Sequence, residues 1–185
     1  MEVRRVVTGH DAAGKAVFVS DEKVAPYVPA FSPNSSFHML WRFDETPRFP
    51  DDGTQPPPTT YFPPVGGFRF NFFTLPPDGD NTVPEGVDLG DALAEFRAAL
   101  PGMLDVIEPE NPGMHTTSTL DVEVVLSGTP VLELDDGATV TLGVGDTVVQ
   151  NGTRHRWSNP GREPATLAVV LVGAHHDHVA PHGAG

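Results

Sequence analysis

The chain contains no cysteine. That removes disulfides and thiolate ligands, so any metal would be held by nitrogen and oxygen alone. Basic residues are scarce: 11 Lys and Arg stand against 25 Asp and Glu, a formal net charge of -14. Such a chain repels phosphate backbones and anionic lipid, so neither nucleic acid nor a membrane surface is an expected partner. No apolar run approaches membrane-spanning length. Residues 1–20 hold no basic segment followed by an apolar run, so no secretion signal is expected, and the expected location is cytoplasmic. Long helices are not expected either, because 20 prolines and 19 glycines interrupt the 185 residues.

That length suits one domain, 1–185, with a real core. What fills it is short, β-like segments. Residues 3–7 and 16–20 read as strands joined by the turn chemistry of Gly9 through Lys15. Residues 37–43, with His38 and Trp41, read as another, and 67–75 as a strand carrying Phe68, Phe70, Phe72 and Phe73. Arg69 reads as outward, alternating with inward Phe68 and Phe70; a clamp for a substrate anion is its second reading. His38 reads as a satisfied structural group. Between these strands, 44–66 is a long loop dense in proline.

The spacing of Leu89, Leu93, Phe96 and Leu100 predicts one helix over about 89–100, capped by Asp88 or Asp91 and ended by Pro101-Gly102. Its first reading is a packing helix over one barrel end, its second a lid. Residues 1–110 thus form N-terminal strands, loop and helix. From Thr116 the pattern is all β: 119–127, 130–134, 139–142, 147–150, 153–157 and 166–172, with hairpin turns at Asp135-Asp136-Gly137 and 143–146. Residues 111–172 are the barrel core. Residues 173–185 form a small, polar tail expected to be mobile, which excludes its His175, His176, Asp177, His178 and His182 from the site.

Two-residue alternation places His115, Thr117, Thr119, Asp121 and Glu123 on one face, and Val122, Val124 and Leu126 on the other. The polar face is costly to bury unless its groups bind one another, a metal, water or a ligand. The apolar face needs cover from the N-terminal strands or a second copy of the chain. His155 and Trp157 share a face, a polar handle beside a flat apolar wall, while Arg154 and Arg156 point away.

Two segments resemble the paired motifs of the cupin superfamily. The run from His115 through Thr117 and Asp121 to Gly128 keeps the spacing H-x-H-x(3,4)-E-x(6)-G. The run Gln150-Asn151-Gly152-Thr153-Arg154-His155-Arg156-Trp157-Ser158-Asn159 keeps the second motif from its proline slot to its asparagine, with Gly145 one residue closer than usual. The resemblance extends over about 114–172. It implies an all-β, antiparallel jelly-roll barrel and a metal set of His115, Asp121 and His155, with Thr117 in place of the second histidine. Fe, Zn, Mn or Ni suits such donors; cupins that have lost ligands and work without metal are the alternative.

The expected function is an enzyme acting on a small aromatic or enolisable molecule by lyase or isomerase chemistry assisted by a divalent metal: decarboxylation, dehydration or tautomerisation. His115, Glu123 and His155 are its expected catalytic residues, and Thr117, Thr119, Trp157, Phe70 and Trp41 its expected pocket. The alternatives are an Fe(II)-dependent dioxygenase, a non-catalytic small-molecule-binding cupin and a metal-free epimerase-type enzyme. A homodimer is the expected assembly.

Overall fold

Ten strands and one α-helix form the described part of the chain. The structure is a computed structural model and describes residues 1–55, 57, 59–80 and 82–179. Strands β1 (Val3–His10) and β2 (Ala16–Val24) pair as an antiparallel hairpin. A five-stranded sheet has the order β3 (Ser36–Phe43), β4 (Phe68–Leu75), β10 (Ala165–Gly173), β5 (Thr119–Ser127), β8 (Thr147–Asn151). A three-stranded sheet has the order β7 (Thr139–Thr141), β6 (Val131–Glu133), β9 (Arg156–Ser158). Every ladder is antiparallel. This is the expected jelly-roll arrangement. No helix among the described residues is long and apolar enough to cross a membrane.

Register sorts the inner face of the large sheet into rows. Arg42, Arg69, Leu171, Asp121 and Gln150 lie across from one another in the first. Met39, Asn71, Val169, Glu123 and Val148 form the second, and Phe37, Phe73, Leu167 and Val125 the third. One end of the interior is therefore polar and the other apolar. Val125, Leu142 and Leu167 form a core cluster at the apolar end, with Trp157 and Val169 packed on it.

A second cluster joins the sheet to helix α1 (Leu89–Ala99) through Phe37, Phe96 and Leu100. Asp88 caps α1, accepting from the Asp91 amide. The buried stripe is Ala92, Phe96 and Leu100, whereas Leu89 is exposed. The helix is a packing element.

Three strand-level expectations change. Arg69 points inward and is 3% exposed, while Phe68, Phe70 and Phe72 line a groove of about 810 Å3 beneath β1, on the opposite face. Both faces of β4 are covered, so apolarity alone could not set its phase. Backbone carbonyls make burial of Arg69 tolerable: it donates to Phe43, Thr60 and Phe68 and pairs with Asp44 at 2.6 Å. His38 is buried with neither ring nitrogen bonded, not satisfied as expected. Strand β9 begins at Arg156 because His155 is committed to an isolated bridge with His115.

The proline-rich loop is fastened to the end of β10. Gly66 donates to the Gly173 carbonyl at 3.2 Å and Gly173 donates to that of Gly67 at 2.9 Å. A Cβ on Gly173 would lie 1.8 Å from the Pro64 carbonyl oxygen, a backbone atom that cannot swing aside. Gly173→Ala is therefore expected to destabilise the fold by roughly 1–3 kcal/mol or more. Urea unfolding measures this; an unchanged midpoint would contradict the fastening.

Candidate functional site

His115 and His155 meet through their backbones. Each amide donates to the other's carbonyl, both at 2.9 Å, the reciprocal pairing of two residues directly opposite in antiparallel chains. Their side chains emerge side by side, with ring centroids 4.2 Å apart. His115 Nδ1–H donates to the Gly113 carbonyl at 2.9 Å, and His155 Nδ1–H to the Thr153 carbonyl at 2.8 Å. A carbonyl can only accept, so the proton sits on Nδ1 and each Nε2 keeps its lone pair. Burial pushes the His155 pKa down to about 4, with His115 beside it lowering it further. Burial also lowers that of His115, against the Gly113 carbonyl and Glu108. Both rings are neutral at neutral pH.

Gly152, in the left-handed region at φ +60°, supplies the turn that brings His155 back from β8. Gln150 donates to the Thr153 carbonyl at 3.2 Å and braces the same turn. Asn159, the last residue of the second motif, is fully buried and structural. Its Nδ2 donates to Leu75 and Glu163 carbonyls, and its Oδ1 accepts from Gly161.

The carboxyls form a separate group. Asp121 and Glu123 are each 4% exposed and lie in adjacent rows of the inner face. Burial raises the Asp121 pKa to about 6. Burial, then the charge of Asp121, raises that of Glu123 to about 8. Asp121 Oδ1 is buried and unpartnered. Thr117, where a second motif histidine would stand, is 1% exposed and hydrogen-bonds the Thr119 hydroxyl at 2.8 Å.

Sequence reasoning missed Tyr61, which sits in the long loop within range of the charges of Asp121 and Glu123. Burial, then the charge of Asp121 and more weakly that of Glu123, raises its pKa, against a side-chain hydrogen bond with Asn71. Its amide donates to the Pro101 carbonyl at 2.8 Å and its ring lies edge-on to Phe37. An aromatic inside a proline-dense segment was its only signal. The tail also behaves unexpectedly. Ala174 donates to the Ser118 carbonyl, His176 Nε2–H to that of Gly152, and Ser118 Oγ to that of Val179. Residues 174–179 are thus strapped across the same barrel end; His182 lies outside the described residues.

The expected pocket residues divide. Thr117 and Thr119 lie with the carboxyls, and Trp157 packs on the apolar core. Phe70 lines the outer groove, on the other side of the sheet from Asp121, and Trp41 borders both that groove and a small cavity beside Arg69 and Asn71. The donors suit a metal in part. Both imidazoles have free Nε2 lone pairs and carbonyl-anchored Nδ1–H groups, as metal-binding histidines do. The charge of Asp121 falls on Glu123 and Tyr61, however, and among the described residues no three His, Asp or Glu side chains gather to hold an ion. As folded, His115, Asp121 and His155 are not gathered around one point.

A cupin domain model matches residues 104–172. Phomopsin biosynthesis cluster proteins C' and D of Diaporthe leptostromiformis are each 30% identical over 156 residues, covering 84% of this chain and 69% of theirs. Oryzines biosynthesis cluster protein J of Aspergillus oryzae is 41% identical over 61 residues, 33% of this chain and 34% of its own. Among solved structures, a predicted oxalate decarboxylase of Thermotoga maritima is 13% identical with a TM-score of 0.43, over 81% of this chain and 93% of that one. A cupin 2 conserved barrel domain protein of Salinispora arenicola is 18% identical with a TM-score of 0.41, over 80% and 82%. With both motifs in order, the antiparallel jelly roll around them and relatives aligned along most of its length, this chain belongs to the cupin superfamily.

Proposed function

We propose that the protein is an enzyme that moves protons on a small enolisable or partly aromatic molecule, by lyase or isomerase chemistry such as decarboxylation, dehydration or tautomerisation. One observation carries the reading: two buried carboxyls in adjacent rows have pKa values of about 6 and about 8. Near neutral pH Asp121 is the carboxylate that accepts a proton and Glu123 the acid that donates one. His115 and His155 offer neutral Nε2 acceptors that orient a hydroxyl or enol. Thr117 and Thr119 line the approach. The relatives named for biosynthesis clusters suit a role in tailoring a small organic product. No step of this reading is routed through a metal. A homodimer belongs to the same reading, since Val122, Leu126 and Val149 leave the outer sheet face exposed and apolar.

Deuterium exchange into a panel of small oxo and hydroxy acids, followed by NMR, tests the chemistry. Glu123→Gln and Asp121→Asn are each expected to slow exchange about 10²–10⁴-fold, and chelators to leave it unchanged. Loss of exchange on chelation, restored by Fe, Mn, Zn or Ni and absent in His155→Ala, would instead establish the metal.

Stability should report the same carboxyl. Above the ordinary carboxylate range and below about 8, the folded chain keeps a proton on Glu123 that the unfolded chain has released. Stability therefore falls as pH rises through that window. Below about 6.5 the depressed imidazoles act in the opposite sense, adding stability as pH rises, so the clean interval is 6.5 to 8. There the loss is expected to be at most about 1.4 kcal/mol per pH unit. Glu123→Gln should flatten it in thermal melts, and an unchanged slope would show that Glu123 is already ionised.

A further inference from the structure

Two pieces of chain close the polar end of the barrel, and they are held differently. The proline-rich loop is fastened at Gly173, where a Cβ would collide with the Pro64 carbonyl. The strap that follows, residues 174–179, is tied to the barrel rim by hydrogen bonds. Ala174 donates to the Ser118 carbonyl at 2.9 Å, and the Ser118 hydroxyl donates to the Val179 carbonyl at 3.3 Å. Between these ties, His176 Nε2–H donates to the Gly152 carbonyl at 3.1 Å. Among the described residues no side chain of the strap joins either core cluster. A segment with few apolar contacts opens locally while the rest of a fold stays closed.

His176 is the centre of this fastening. A carbonyl only accepts, so the ring proton sits on Nε2, which leaves Nδ1 to accept from the His178 amide at 3.1 Å. One neutral ring thus joins the barrel rim on one side and the strap's own turn on the other. The fit is close: a Cβ on Gly152 would lie 3.0 Å from His176 Cδ2. Gly152 belongs to the turn that brings His155 back from β8, so the latch rests on the segment that carries one imidazole of the site.

What lies beneath gives the strap something to cover. Its anchor Ser118 stands between Thr117 and Thr119, and alternation continues inward from Thr119 to Asp121 and Glu123. Thr117, Thr119, Asp121, Glu123 and His155 are all nearly sealed from solvent. The opposite end of the interior is filled by Phe37, Phe73, Leu167 and Val125. A ligand that exchanges protons with Asp121 and Glu123 therefore enters at the polar end, and the strap is the cover there that can lift.

We propose that residues 174–179 are a lid over the barrel end, hinged at Gly173 and latched by His176 on Gly152. The inference rests on the proton-transfer reading for what the lid admits. Lid motion is measured without turnover, so the two fail separately. A chain whose His155 is gated but which exchanges no substrate protons keeps the lid and loses that reading; the reverse result loses the lid alone.

The probe is diethyl pyrocarbonate, which acylates neutral imidazole, used at a single-hit dose. Peptide mass spectrometry then compares the rate at His155 with that at His10 on the N-terminal hairpin. His176→Ala releases the latch. Because the chain has no cysteine, Ser118→Cys with Val179→Cys can form only one disulfide, across the contact between the Ser118 hydroxyl and the Val179 carbonyl, and that bond locks the strap shut. His176→Ala is expected to raise the His155 rate about tenfold over the native chain, and the oxidised pair to lower it about tenfold against its own reduced form, with His10 unchanged throughout. Circular dichroism and melting establish that each variant folds, and either one alone decides the question. A native His155 rate in folded His176→Ala, or equal rates in the oxidised and reduced pair, would overturn the proposal and make the strap a fixed part of the wall.

Discussion

The interior end of β5 sets the terms for the rest of this molecule. Alternation sends Thr119, Asp121 and Glu123 inward, and closure of the jelly roll denies them water. Two ionised carboxylates so placed would meet a large desolvation cost and each other's repulsion. The fold meets the constraint by raising both pKa values, so that a proton is retained, and by gathering neutral polar partners at the same end. Apolar rows further along the strands, from Phe37 across to Val125, supply the burial that a polar end cannot.

The imidazole pair answers to a different force. Reciprocal backbone bonds place His115 and His155 opposite each other whatever their side chains do, and carbonyls of neighbouring turns hold the protons on Nδ1. The barrel end thus presents two chemistries close together: acceptors anchored to backbone, and carboxyls tuned by burial. Residues 174–179 are strapped across this end and the proline-rich loop is fastened to β10, so three separated stretches of chain shape one site.

Much of this architecture was legible because period-two alternation and turn chemistry are local properties. The strand pattern after Thr116, the helix and the two motifs follow from neighbours along the chain. Arg69 was misread because its partners, the carbonyls of Phe43 and Thr60, are supplied by a loop whose path no periodicity records. The four phenylalanines of β4 split between two faces: Phe73 joins the inner core, and Phe68, Phe70 and Phe72 lie in a groove under the N-terminal hairpin. A sheet covered on both sides has no wet face to calibrate its phase. Tyr61 was invisible for a related reason, since it belongs to no motif and matters only through what packs around it.

Sequence alone determined the superfamily, the antiparallel barrel and the pair of histidines that its two motifs carry, because spacing and alternation act over a few residues. Only the tertiary structure decided which donors share a site. Motif spacing grouped Asp121 with His115 and His155, whereas the fold buries Asp121 in the row beside Glu123, where its charge also acts on Tyr61. The physical reason is reach: a side chain's partners are set by which strands and loops pack against it, and those contacts join residues such as Tyr61 and Asp121 that lie far apart in the chain.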